Sequence, residues 1–204
     1  MLKAYILFWL LLLYFCLNKQ RSIAQSHPTS IIAFNKESKD SLAFTNNWDY
    51  PAGVIKDEDG RFHKDEDGKI VEKDTSHLYS TANCRTNVQG VYTIRYCYTL
   101  RKADGIYLSF RDGLPAYASE FNVFILDGKF SFKPNIIYPE LTAGSKTKYT
   151  ITKSKLTLYQ KDYNSSKIVS GYIDVEFVET TILHGNIEKH KYYFRGYFKT
   201  PINT

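Results

Sequence analysis

Short apolar runs that alternate with period two, cut by Asp-Gly and other turn pairs, recur from residue 53 to the end of this chain. No stretch after residue 24 sustains the helical period of about 3.6 residues. The apolar residues must therefore be buried on sheets. Val91 to Leu100 is rich in Tyr, Thr, Val and Ile. Ala103-Asp104-Gly105 then turns the chain into a run where Ile106, Leu108 and Phe110 share a face. Beyond Gly113-Leu114-Pro115, Phe121, Val123 and Ile125 share one face, with Phe124 and Leu126 on the other. Asp127-Gly128 leads to Phe130-Ser131-Phe132, and such a pair between strand-like runs is a hairpin signal. Tyr149 to Ile151 and Leu156 to Leu158 read as two short strands. From Ile168 to Phe177, Val169, Gly171, Ile173, Val175 and Phe177 face one way, and Ser170, Asp174 and Glu176 the other. That is a sheet with one wet face. Tyr192 to Lys199 repeats the pattern with Phe194, Gly196 and Phe198. The strand glycines Gly171 and Gly196 predict a bend or bulge where a sheet curls. About ten short strands with polar turns predict an all-β fold. An antiparallel β-sandwich is the expected form, and a lipocalin-like β-barrel is the alternative.

A small repeat lies within residues 53–74. Asp57-Glu58-Asp59-Gly60 recurs eight residues later as Asp65-Glu66-Asp67-Gly68, between Val54-Ile55-Lys56, Arg61-Phe62-His63-Lys64 and Lys69-Ile70-Val71-Glu72. This predicts a small acidic β-meander with glycine turns. Asp57, Asp59, Asp65 and Asp67 are calcium candidates by residue type. Their spacing fails an EF-hand, because the first ligand position falls on Ile55 or on His63. Two solvated turns are the expected reading of the repeat, ahead of a calcium site.

The N-terminus sets the expected compartment. One lysine precedes 14 apolar residues, Ala4 to Leu17. A membrane-spanning helix needs about 20, so the run suits a secretory signal peptide. Ser22-Ile23-Ala24 carries small residues where a signal peptidase reads. We therefore expect residues 1–24 to be removed and residues 25–204 to form a single β-rich domain, destined for the periplasm, the cell envelope or the exterior. An uncleaved anchor and lipidation at Cys16 are the rivals. Tyr14-Phe15 is bulky for the latter, while Lys19 and Arg21 make the cleavage region basic. Cleavage removes Lys3, Lys19 and Arg21, so Lys plus Arg falls from 27 to 24 against 21 acids and the formal charge from +6 to +3. No clustered basic tract is evident along the sequence, so nucleic acid is not an expected partner. A membrane is expected only through the N-terminal segment. Cys84 and Cys97 remain, and an oxidising compartment would let them form a disulfide. Two buried free thiols are the alternative.

The run Leu114 to Ala118, the hairpin Phe124 to Phe130 and the strand Gly171 to Phe177 resemble small exported β-rich proteins of Bacteroidota-type bacteria. The excess of 20 Lys over 7 Arg is similar. The resemblance implies a compartment and a fold style, and no reaction.

No nucleophile elbow, phosphate-binding glycine loop or H-E-x-x-H motif is present. No catalytic residue and no cofactor is therefore expected. His184, His190 and Glu188 fit no zinc spacing. Asp174 and Glu176 share a strand face, as a glycoside hydrolase pair would, but a solvated strand carries such residues routinely. Aromatic residues reach 16%, with 17 tyrosines. Exposed Trp and Tyr can stack on sugars or anchor a protein, having flat apolar area and a polar tip. Trp48 and Tyr50 are the leading binding candidates, with Tyr96, Tyr98, Tyr192 and Tyr197 behind them. The sequence thus predicts a non-enzymatic exported protein that binds a glycan or an envelope protein. A carboxylate-dependent hydrolase of envelope or extracellular polymers is one alternative, and a barrel carrying a small apolar ligand is another.

Overall fold

A computed structural model describes residues 29–36, 39–51, 53–64, 69–112, 119–137 and 145–203. The expected signal peptide, Cys16, Asp65, Asp67 and the run 114–118 lie outside the described residues. The strands in chain order are β1 (Ser30–Ile31), β2 (Ala33–Phe34), β3 (Trp48–Asp49), β4 (Val54–Lys56), β5 (Phe62–Lys64), β6 (Leu78–Tyr79), β7 (Ala82–Thr86) and β8 (Tyr92–Ile94). They continue with β9 (Tyr96–Lys102), β10 (Gly105–Arg111), β11 (Glu120–Leu126), β12 (Lys129–Asn135), β13 (Lys146–Leu158), β14 (Ile168–Leu183) and β15 (Asn186–Pro201). Two 3-10 turns, Lys39–Asn46 and Glu72–Thr75, are the only helical elements among the described residues. The chain is nearly all β, as its period-two pattern requires.

Two large sheets carry the core. One has the order β1-β12-β11-β10-β9, the other β2-β13-β14-β15-β7-β8. Neither closes on itself among the described residues, so the expected barrel alternative is not the architecture. The inner faces are the predicted ones: Ile106, Leu108 and Phe110 of β10, Phe121, Val123 and Ile125 of β11, and Ile173, Val175 and Phe177 of β14 are all buried. Phenylalanine rings link the sheets. Phe194 of β15 stacks on Phe121 of β11 with centroids 4.4 Å apart, and Phe110 of β10 meets Phe194 and Phe198 edge-on at 5.1 and 5.4 Å.

Local chemistry explains where the strands start and stop. Asp127 and Gly128 have φ of 49° and 72°, the left-handed pair of a tight hairpin turn joining β11 to β12. Gly196 is needed for space. A Cβ there would stand 2.1 Å from the Asn83 carbonyl oxygen and 2.5 Å from Cys84 Cα, at φ 155°. The two glycines of β14 and β15 thus serve close approach of neighbouring strands. The two short strands expected at 149–151 and 156–158 are one strand, β13, which runs through a register shift between Ile151 and Lys153. The segment before the 3-10 turn at Lys39 joins both sheets. β1 pairs with β12 of one sheet, and β2 runs parallel to β13 of the other, with Ile32 buried between them. At the opposite end Leu100 bridges to Asn203, so the C-terminus of the chain reaches the β9 edge.

Two expectations are corrected. Among the described residues of the expected meander at 53–74, β4 and β5 form a hairpin, and Lys69 to Val71 pairs with neither strand. The chain instead folds into the 3-10 turn Glu72–Thr75, because the buried Asp74 carboxylate accepts from the Val71 N–H at 2.9 Å and binds Lys64 at 2.8 Å. Those contacts hold Asp74 below the ordinary carboxylate range, the Lys64 hydrogen bond foremost. Secondly, no disulfide joins Cys84 and Cys97, and both are free, buried thiols. The β-rich run from Val91 to Leu100 breaks at Arg95, where the chain passes from the six-stranded sheet to the five-stranded one. Cys84 lies on β7 opposite Gly196 and Ile94, whereas Cys97 lies on β9 opposite Phe110. Closeness in sequence does not bring them together. Burial pushes both thiols well above their ordinary pKa. The cysteines therefore give no support to an oxidising compartment.

Candidate functional site: an aromatic surface at Trp48

The 3-10 turn Lys39–Asn46 buries Leu42 and Phe44 and packs against β15 and β7. That anchor delivers the chain to β3. The Asn47 carbonyl then accepts from the Ser80 N–H at 2.8 Å, and Trp48 pairs directly with Tyr79 of β6. This two-stranded ribbon is separate from both large sheets. A ribbon so short is not stable on its own. Its position depends on the neighbours described next.

Five rings converge here. Trp48 stacks on His77, with centroids 3.6 Å apart and an interplanar angle of 12°. Tyr50 meets Trp48 edge-on at 5.5 Å and Phe62 of β5 at 5.0 Å. Tyr79 stands edge-on to His77 at 6.3 Å. Despite these contacts Trp48 is 46% exposed and Tyr79 53%. An ion-pair chain runs beside the rings. Arg95 donates to Asp49 at 2.7 Å and to Asp112 at 3.2 Å, while Asp49 also accepts from the Tyr50 N–H at 2.8 Å. The guanidinium lies 5.6 Å from the centre of the Tyr96 ring. Burial raises the pKa of that phenol, an effect Arg95 partly opposes. The arrangement offers a flat aromatic patch bordered by fixed hydrogen-bonding groups.

Trp48 and Tyr50 were legible as candidates, and the structure brings them together. The other named tyrosines scatter. Tyr96 is buried, Tyr98 lies under Arg111 at 4.4 Å, Tyr192 packs on Phe177 at 5.6 Å, and Tyr197 pairs with Tyr172 at 4.8 Å. His77, Tyr79 and Phe62 were missed. No spacing rule links residue 48 to residue 77, and only the β3–β6 pairing does.

The remaining candidates carry partners of their own. Asp57 lies 3.3 Å from His63 and Asp59 3.2 Å from Arg61. Asp174 and Glu176 sit on the outer face of β14, where Lys153 binds Asp174 at 2.7 Å and Arg195 binds Glu176 at 3.2 Å. Glu176, with Arg195, Tyr193 and Lys191, helps to line a concavity of about 430 Å³. The two carboxylates are neighbours along one strand, not opposed across that concavity. His190 lies 3.9 Å from Glu188, and His184 occupies the β14–β15 turn. Among the described residues no group of three or more His, Cys, Asp or Glu is arranged to hold a metal. No helix there is long and apolar enough to cross a membrane. No protein family, no curated protein and no solved structure matches this chain.

Proposed function

We propose that this chain is an exported, non-enzymatic β-sandwich protein that binds a glycan at the cell envelope through the aromatic surface at Trp48. A protein partner at the same surface is the second form of the reading. The sandwich is supported by the contacts of Phe110 and Phe121 on one sheet with Phe194 and Phe198 on the other. Export is supported by the apolar run Ala4 to Leu17 and the small residues at Ser22 and Ala24.

One observation carries the binding reading. Trp48 is held by His77 and Tyr50 yet stays 46% exposed. A ring fixed before binding loses little conformational entropy on binding. Stacking against a sugar face uses its flat area, while Asp49, Arg95 and Asp112 can meet hydroxyls. The hydrolase alternative gains nothing from Asp174 and Glu176, since each already neutralises a cation.

The test uses the full chain with Trp9→Phe, which leaves Trp48 as the sole tryptophan. Its fluorescence is followed while soluble oligosaccharides of envelope type are added. A saturable change for one sugar class, absent in a Tyr50→Ala and Tyr79→Ala variant, is the expected result. A signal that stays constant across the panel removes the glycan form. If envelope extract also retains nothing on the immobilised protein, the protein-partner form goes with it.

A further inference from the structure

The outer ends of β13, β14 and β15 carry a second surface, remote in sequence from Trp48. Directly paired residues of neighbouring strands point to the same face, and alternate residues along each strand share it. The register therefore builds three rows on the outer face. Lys146, Ile182 and Ile187 form the row nearest the His184-Gly185 turn. Lys148, Thr180 and Lys189 form the second, and Thr150, Val178 and Lys191 the third. These nine positions hold four lysines and no acid. The acids of this region, Glu179 and Glu188, belong to the alternate positions, with Tyr149, His190, Thr147 and Thr181.

Charge is thus sorted by face. The sorting is unlike the next rows inward, where Lys153 and Arg195 are paired with Asp174 and Glu176. None of Lys146, Lys148, Lys189 and Lys191 makes an ion pair among the described residues, and all four are exposed. In the leading row, beside Lys146, Ile182 and Ile187 oppose each other and are 43% and 62% exposed. The turn beyond them is tight, with left-handed φ of 50° and 85° at His184 and Gly185.

From this arrangement we propose that the outer face of the β13–β14–β15 end docks on an anionic phospholipid surface. Charge complementarity chooses an anionic partner. The order of the rows chooses a bilayer over a soluble polyanion. The two isoleucines lead with Lys146 at the edge of their row, and the Lys148–Lys189 row follows about 7 Å behind at two residues of strand rise. Apolar groups at that depth reach the boundary between headgroups and acyl chains, about 5–10 Å in. Lysine stems lie along apolar surface while their ammonium groups stay among phosphates. A nucleic acid or other polyanion gives the isoleucines nothing to enter, and lysine lacks the planar fork that favours bidentate phosphate contacts. This surface is independent of the aromatic one.

The test is co-sedimentation of the full chain with vesicles of phosphatidylcholine alone and of phosphatidylcholine with phosphatidylglycerol in equal parts. The apolar N-terminal run is common to every variant, so the comparison is between variants. Lys148→Gln with Lys189→Gln weakens the preference for the anionic vesicles roughly 30-fold, at about fivefold per lysine. Ile182→Ser with Ile187→Ser weakens binding to the same vesicles, and an Ile187→Trp variant shows a blue shift with anionic vesicles only. Unchanged unfolding midpoints establish that the variants fold. Two results overturn the proposal. One is anionic-vesicle binding unchanged in both double variants. The other is loss only in the lysine variant, with equal loss of binding to soluble polyphosphate, which marks a polyanion site instead.

Discussion

Phe194→Ala removes the ring through which the two sheets meet. Phe194 is fully buried, and its ring lies 4.4 Å from Phe121, 5.1 Å from Phe110 and 6.0 Å from Phe132, all on the opposite sheet. Truncating a buried phenylalanine costs about 3–5 kcal/mol through lost transfer energy and the cavity left behind. Aromatic pairs add ~0.5–1.5 kcal/mol each beyond their area. The three partners sit on hydrogen-bonded strands and cannot easily collapse into the space. The loss therefore falls at the upper end, about 4–5 kcal/mol by this reasoning. For a domain of this size that lowers the melting temperature by roughly 8–20 °C. Urea unfolding followed by circular dichroism measures it, with an unchanged slope showing that the fold is kept. A double-mutant cycle with Phe110→Ala should return a coupling of about 0.5–1.5 kcal/mol. A loss within about 0.5 kcal/mol, the range of surface substitutions, together with no coupling, would refute packing of the sheets through this ring.

Two further outcomes follow from buried titratable groups. Asp74 is held below its ordinary value of 3.8 by Lys64 and the Val71 N–H, so the stability it contributes is complete above that value and is lost as pH falls through the lower folded one. Its carboxyl resonance, followed by NMR, should titrate below 3.8, and a midpoint at or above that value means the Lys64 contact does not form. Cys84 and Cys97 are buried and protonated, so a thiol reagent at mildly alkaline pH should label them only after denaturant is added. Fast labelling of the native chain contradicts their burial, and failure to label in denaturant without reductant means a disulfide exists.

The inner faces of β10, β11, β12 and β14 were legible because alternation and Asp-Gly turns are local properties of the chain. What failed was long-range. β13 looked like two strands because its bulge and the polar stretch Lys153 to Lys155 interrupt the pattern. The break at Arg95 leaves no mark in a run rich in Tyr and Thr, so the cysteines on either side looked like partners. Nothing local marks Asp74, whose burial comes from Lys64 and the turn that closes on it. At the aromatic surface, Trp48 and Tyr50 stood out because they are two residues apart. His77, Tyr79 and Phe62 join them only through pairing across the chain. The four lysines of the outer face are visible as Lys146-x-Lys148 and Lys189-x-Lys191, but only the register sets one pair beside the other.

Arg95 has a mechanical consequence. Its carbonyl accepts from the Thr81 and Ala82 N–H groups at 2.9 and 2.8 Å, at the junction where the chain leaves one sheet for the other. Its side chain grips Asp49, next to Trp48. A pull applied to something held at the aromatic patch therefore has a short route into both sheets. It need not travel back along the thin N-terminal strand that ends in the 3-10 turn. Cutting that link with Arg95→Ala would leave the rings in contact but hang the ribbon from its backbone alone, turning a braced foothold into a tethered one.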